Sequence, residues 1–125
     1  MSAGVLVVED DLDLLGLLEM LLQDAGHRVR TARDGAQALE RVSEEMPALI
    51  LLDMRMPLMN GWEFAREFRA RHGRACPIVV VTAAENARLR AAEIEAEGFL
   101  AKPFDLDDVL RMVARFVPQP SGARA

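Results

Sequence analysis

The sequence has a single cysteine, Cys76, so no internal disulfide can form. That suits a reducing compartment. No apolar run approaches the roughly 18 residues needed to span a bilayer. Met1-Ser2-Ala3-Gly4 leads straight into a strand-like segment, so no signal peptide is expected. The chain therefore reads as cytoplasmic, with no membrane partner. A basic face is missing too. The formal net charge is −5, whereas a direct nucleic-acid binder carries Lys and Arg to neutralise phosphates. Lysine occurs once, at Lys102, among scattered arginines. A lone lysine hints at a task for a compact point charge rather than a planar fork.

What the chain does have is enough apolar residue, 51% of 125, for one compact domain with a real core. Its hydrophobic period switches repeatedly between short runs and helical spacing. Val5-Leu6-Val7-Val8 is a continuous apolar run. Apolar residues at 14, 15, 18, 21, 22 and 25 then form a helical stripe that Gly26 ends. Val29 to Ala32 reads as a weaker strand. Asp34-Gly35 opens a helix that Pro47 stops, and Ala48 to Leu52 is a third strand ending at Asp53. After the loop Met54 to Asn60, a helix turns Trp62, Ala65 and Phe68 inward. Ile78 to Val81 is a fourth strand ending at Thr82. Residues 86 to 96 look helical with the weakest stripe of all. Phe99 to Ala101 is a short fifth strand ending at Lys102, and Asp105 caps a last helix. The domain is expected to span residues 4–117, with 118–125 a flexible tail or linker. Five strands alternating with five helices predict an α/β fold with a parallel sheet, and wholly apolar strands predict cover on both faces.

Ligands of such sheets bind at the carboxyl ends of the strands. Strand one ends in Glu9, Asp10 and Asp11, strand three in Asp53, strand four in Thr82 and strand five in Lys102. Several carboxylates in one cleft repel and are hard to keep ionised without a cation. Mg²⁺ answers that need, because it takes oxygen ligands from one or two carboxylates and from phosphate. A carboxylate can attack a phosphoryl donor to give an acyl phosphate. The transferred charge would then be spread over metal, Lys102 and the Thr82 hydroxyl. Each piece has a blander reading by itself. Asp11 alone is more often a helix cap, Asp53 a turn residue and Lys102 a solvated charge. The Met54, Met56 and Met59 cluster reads as loop packing. His27 and His72 have no metal-ligand spacing and are expected at the surface, and Cys76 is expected as a buried or half-buried thiol without a catalytic companion.

Four segments together resemble the response-regulator receiver domain of two-component signalling. They are Val5 to Asp11 (VLVVEDD), Leu51 to Pro57 (LLDMRMP), Val81 to Ala83 (VTA) and Gly98 to Phe104 (GFLAKPF). The resemblance covers about residues 4 to 117. It implies a flavodoxin-like, doubly wound five-stranded parallel sheet of strand order 2-1-3-4-5. It implies that Asp53 is the phosphoacceptor, that Asp10 binds Mg²⁺ (or Mn²⁺) directly, that Glu9 acts through metal-bound water and that the Arg55 backbone carbonyl is a further ligand. Thr82 would be the hydroxyl that moves toward the phosphoryl group, Lys102 its paired cation, Lys102-Pro103 a cis peptide and Phe99 the aromatic switch. Ala83 would leave room for a phosphodonor, and Arg55 and Ala84 would tune phosphoryl lifetime. The implied partners are a histidine kinase or phosphotransfer protein and a downstream protein or effector domain. A homodimer through helix 4, strand 5 and helix 5 is a further expectation. Apart from its own phosphorylation and dephosphorylation, the chain would be a signalling switch rather than an enzyme.

Two features depart from the family pattern. The stretch from Thr82 to Lys102 is about two residues short, and Glu95 stands where a helix-ending glycine is common, so the fourth helix is expected to be short, shifted or mobile. Two other functions compete. A haloacid-dehalogenase-type phosphohydrolase needs a second Asp two positions after the nucleophile, and Arg55 stands there. A phosphorylation-independent interaction module of the same fold needs a degraded pocket, and Glu9, Asp10, Asp53, Thr82 and Lys102 are all present.

Overall fold

In the computed structural model, which describes residues 4–118, strands and helices alternate from Val5 to Phe116. The order is β1 (Val5–Val8), α1 (Leu12–Asp24), β2 (Val29–Ala32), α2 (Gly35–Glu44), β3 (Leu49–Asp53), α3 (Gly61–His72), β4 (Ile78–Ala83), a 3₁₀ turn (Ala84–Asn86), α4 (Ala87–Glu93), β5 (Gly98–Lys102) and α5 (Leu106–Phe116). All pairings are parallel, in the order β2-β1-β3-β4-β5. The expected flavodoxin-like topology is the one observed. The expected tail falls mostly on residues 119–125, outside the described residues. No helix among the described residues is long and apolar enough to cross a membrane.

Side chains alternate across a strand with period two, and the core divides on that period. Leu6, Val8, Ile50, Leu52, Ile78 and Val80 face one way, against Ala38, Leu39 and Val42 of α2, Phe64 and Phe68 of α3 and Ala91 of α4. Val5, Val7, Leu49, Leu51, Val79 and Val81 face the other way, against Leu15, Leu18 and Leu22 of α1 and Val109 and Val113 of α5. Covering both faces is what lets the strands be apolar throughout. Burying a Leu or Ile fully stabilises by about 1.5–3 kcal/mol, so the central strands anchor everything at their ends.

The fourth helix is short. α4 runs over seven residues and buries only Ala87 and Ala91. Residues 86 to 96 are thus too generous a reading: Ile94 caps the helix and Glu95 takes φ 52°, the left-handed region where glycine is usual. The Glu95 carbonyl accepts from Arg69 Nη2 (3.1 Å) and Arg74 Nη1 (2.8 Å). Glu97 Oε1 accepts from the Ile78 N–H at 2.7 Å. These bonds hold the shortened connection against α3 and β4.

One histidine departs from expectation. His27 is buried, at 5% exposure, and neither ring nitrogen has a hydrogen-bond partner among the described residues. Its backbone N–H donates to the Leu22 carbonyl at 3.0 Å, which closes the turn from α1 to β2 and folds the ring inward. His72 is half-buried, with its ring 5.2 Å from that of Phe68. Cys76 is fully buried; burial raises its thiol pKa to about 12, with Glu97 adding to the effect.

Candidate functional site

The strand ends meet as the sheet order requires. Val8 pairs with Leu52, Asp53 with Val81 and Ala83 with Lys102, so the residues that follow or end these strands share one edge. Glu9 follows β1 and is buried at 2% exposure, Asp10 beside it is exposed, and Asp53 at the end of β3 is 6% exposed. Carboxylate oxygens of these three residues lie within 4.8 Å of one another. Asp11 stands apart from the group: its Oδ1 accepts from the backbone N–H groups of Asp13 (3.0 Å) and Leu14 (3.3 Å), the work of an N-cap. The Asp11 N–H in turn donates to Glu9 Oε2 at 3.2 Å and fixes that carboxylate.

Lys102 reaches the cluster from β5, with Nζ 3.4 Å from Glu9 Oε1 and 3.9 Å from Asp53 Oδ1. The Lys102-Pro103 peptide is cis. Thr82, 6% exposed, ends the buried part of β4 directly opposite Ala101. Phe99 is half-buried on β5, packs beside the α3-side core and has the Arg88 guanidinium 5.5 Å from its ring. Ala83 is exposed at the rim.

The β3–α3 loop is held close. The Arg55 N–H donates to Asp53 Oδ1 at 3.4 Å. The Gly61 N–H donates to the Met54 carbonyl at 2.9 Å, and a Cβ on Gly61 would stand 2.7 Å from Met54 Cα. Only glycine lets α3 begin so near the backbone beside Asp53. Met54 is fully buried, and Met56 and Met59 pack against the core, as loop packing requires.

Electrostatics mark the cluster as short of positive charge. Burial, then the neighbouring Asp53 charge, raises the Glu9 pKa to about 7, with Lys102 acting in the opposite sense. Burial also raises that of Asp53, against Lys102 and the Arg55 N–H, which hold it down. One ammonium does not offset three carboxylates. An all-oxygen set of this spacing and charge fits a hard divalent cation such as Mg²⁺, which would hold the carboxylates ionised.

Of the set predicted from strand ends, Glu9, Asp10, Asp53 and Lys102 are thus brought together; Asp11 caps α1, and Thr82 is placed by its strand register on the same edge of the sheet. A neighbouring arrangement carried no sequence signal. Trp62 Nε1 donates to Glu93 Oε1 at 2.7 Å, and the Arg55 and Arg90 guanidinium groups lie 5.9 and 5.3 Å from the indole centroid. Partners 31 positions apart on two different helices leave no periodic trace.

Comparison with known proteins agrees with this geometry. The profile of the response regulator receiver domain matches residues 5–114. Response regulator MprA of Mycobacterium ulcerans is 37% identical over 112 residues, which cover 88% of this chain and 48% of that protein. The chain spans about half the length of the curated relatives it matches. Among solved structures, the chemotaxis response regulator CheY4 of Vibrio cholerae superposes with a TM-score of 0.83 at 32% identity, over 93% of this chain and 99% of that one. The receiver domain of the sensor histidine kinase PA1611 of Pseudomonas aeruginosa, with a magnesium ion coordinated in its active-site cleft, gives 0.81 at 32% identity, over 93% and 98%. Fold, acidic cluster and matched length agree, and the chain belongs to the response regulator receiver domain family.

Proposed function

We propose that Asp53 is the phosphoacceptor of a two-component switch whose donor is a histidine kinase or phosphotransfer protein. The observation that carries the reading is the buried Asp53 carboxylate, with Glu9 and Asp10 oxygens within 4.8 Å and Lys102 Nζ at 3.9 Å. An Asp53 oxygen attacks the phosphorus of a phosphohistidine. A P–O bond forms, the P–N bond breaks, and the imidazole leaves with the electron pair. Glu9, Asp10, Asp53 and the Arg55 carbonyl would hold Mg²⁺ or Mn²⁺, which supplies positive charge to the phosphoryl oxygens. Lys102 exchanges its Glu9 contact for a phosphoryl oxygen, and the Thr82 hydroxyl donates to another.

The receiver domain is read as residues 4–117 of a cytoplasmic protein. Its output is a change of partner at the face of α4, β5 and α5, where Leu89 is 54% exposed and Phe99 is half-buried. That face serves a downstream protein or effector domain, or a second copy of the chain.

The test is phosphorylation by acetyl phosphate with and without Mg²⁺, read by intact mass on wild type and Asp53→Asn. A Mg²⁺-dependent gain of one phosphoryl group, lost in the variant, is expected. A gain retained in Asp53→Asn would move the acceptor elsewhere, and no gain in folded wild type would favour the phosphorylation-independent module.

A further inference from the structure

α4 is a weakly held helix. It has seven residues, buries two alanines, and its N-cap residue Asn86 makes no side-chain capping bond. A helix so short has little stability of its own, so contacts from neighbouring elements set where it lies. At its last residue, Glu93, it is tied to α3 by the Trp62 Nε1–H at 2.7 Å. That bond and Arg90 hold the Glu93 carboxyl below its usual range. Arg90 Nη1 reaches both Glu93 oxygens at 3.1 Å while its guanidinium lies 5.3 Å from the indole centroid.

A third element meets the same ring. The Arg55 guanidinium stands 5.9 Å from the indole centroid, and the Arg55 N–H donates to Asp53 Oδ1. Arg90 has a carboxylate partner; the exposed Arg55 guanidinium has no hydrogen bond or ion pair among the described residues. Its position rests on a solvent-exposed cation–π contact, a weak restraint.

We propose that Trp62 is a positioning residue that couples the state of Asp53 to α4, with Arg55 as the moving part. This rests on Asp53 being the phosphoacceptor. A phosphoryl group extends outward from the buried carboxylate and presents dianionic oxygens to the loop that carries Arg55. Guanidinium–phosphate pairing is charge-assisted and bidentate, and it outcompetes a solvated ring. Arg55 leaves the indole, and Trp62 keeps α4 with one contact fewer. A switch requires an interaction that differs between two states; the Arg55–Trp62 contact belongs to the unphosphorylated state alone.

Trp62 is the one tryptophan of the chain, so its emission reports this ring directly. The full chain is treated with acetyl phosphate and Mg²⁺, and the phosphorylated fraction is read by intact mass in every sample. In wild type, the emission shift is expected to scale with that fraction. Amide exchange over residues 87–93 should rise roughly two- to fivefold, the factor for losing one exposed cation–π contact. Per phosphorylated molecule, Arg55→Ala should lose both responses, and Arg55→Lys, still a cation able to sit over the ring, should restore the emission shift. Phosphorylation with unchanged emission, or an equal shift in Arg55→Ala, overturns the coupling. No mass gain in wild type overturns the phosphoacceptor reading itself, and the coupling with it.

Discussion

Lys102 Nζ lies closer to Glu9 Oε1, at 3.4 Å, than to Asp53 Oδ1, at 3.9 Å. The one lysine of the chain therefore rests closer to Glu9, whose carboxyl burial pushes up to about 7, leaving Asp53 with a weaker hold on it. Lys102→Met keeps the stem length and removes the charge. The Glu9 carboxyl, already raised to about 7, should then titrate higher still, because the ammonium that opposes its burial is gone. Carboxyl ¹³C NMR titration of the metal-free protein reads this directly; an unmoved midpoint would show that Lys102 does not act on Glu9. Phosphorylation by acetyl phosphate should slow on the order of 100-fold, the usual cost of removing one charge-stabilising donor.

The same raised group sets a pH dependence. Glu9 titrates near 4.5 when unperturbed and about 7 when folded, so between those values the folded state binds more protons. Its contribution is full below pH 4.5 and is lost as pH rises through about 7, by up to about 3 kcal/mol in the metal-free protein. Mg²⁺ should restore stability chiefly above pH 7, where the cluster is ionised, by about 2.7 kcal/mol at one hundred times Kd. Urea midpoints at pH 5 and pH 8, with and without Mg²⁺, test both signs. Equal stabilisation by Mg²⁺ at the two pH values would place the ion away from Glu9.

Gly61 offers a structural test of the loop beside Asp53. In Gly61→Ala the new Cβ would stand 2.7 Å from Met54 Cα and 3.0 Å from the Asp53 carbonyl oxygen. Both are backbone atoms, so the loop or the start of α3 must shift. Destabilisation of about 1–3 kcal/mol is expected, as for other overpacked sites, with a loss of phosphorylation larger than the unfolded fraction explains. Gly16→Ala is the control, since beyond its chain neighbours and the backbone of its own helix no atom of the described residues lies within 4 Å of its added Cβ. Equal phosphorylation in the two folded variants would show that the loop tolerates the shift.

What the sequence makes legible follows from where each signal is written. The strands announce themselves because Val5 to Val8, Leu49 to Leu52 and Ile78 to Val81 must be apolar on two faces. The site is legible because each run stops at a polar residue, and a parallel sheet gathers those ends; Glu9 and Lys102 meet across 93 positions for that reason. The end of α4 is less legible, because Glu95 adopts a left-handed φ without glycine and its carbonyl is held by Arg69 and Arg74 from other segments. The Trp62–Glu93 bond and the burial of His27 depend on how α3 meets α4 and how α1 turns into β2. Neither leaves a local pattern in the chain.

His27 supplies the acid-side prediction. Both ring nitrogens are buried without a partner among the described residues, and burial lowers the pKa from its ordinary 6.5. Below pH 6.5 the unfolded chain takes up a proton that the folded ring resists, so the His27 contribution is intact above pH 6.5 and is lost as pH falls. The sign is opposite to that of Glu9, and the two separate if Mg²⁺ is kept saturating so that Glu9 stays ionised. His27→Phe replaces two unsatisfied polar atoms with an apolar ring of similar shape. It should be neutral or stabilising by about 1 kcal/mol at pH 7.5, and it should flatten the loss of stability between pH 6.5 and 5. Urea unfolding of both proteins in Mg²⁺ across that window decides the matter. An identical acid slope in wild type and His27→Phe would show that the ring is hydrated or paired in solution and that the acid sensitivity lies elsewhere.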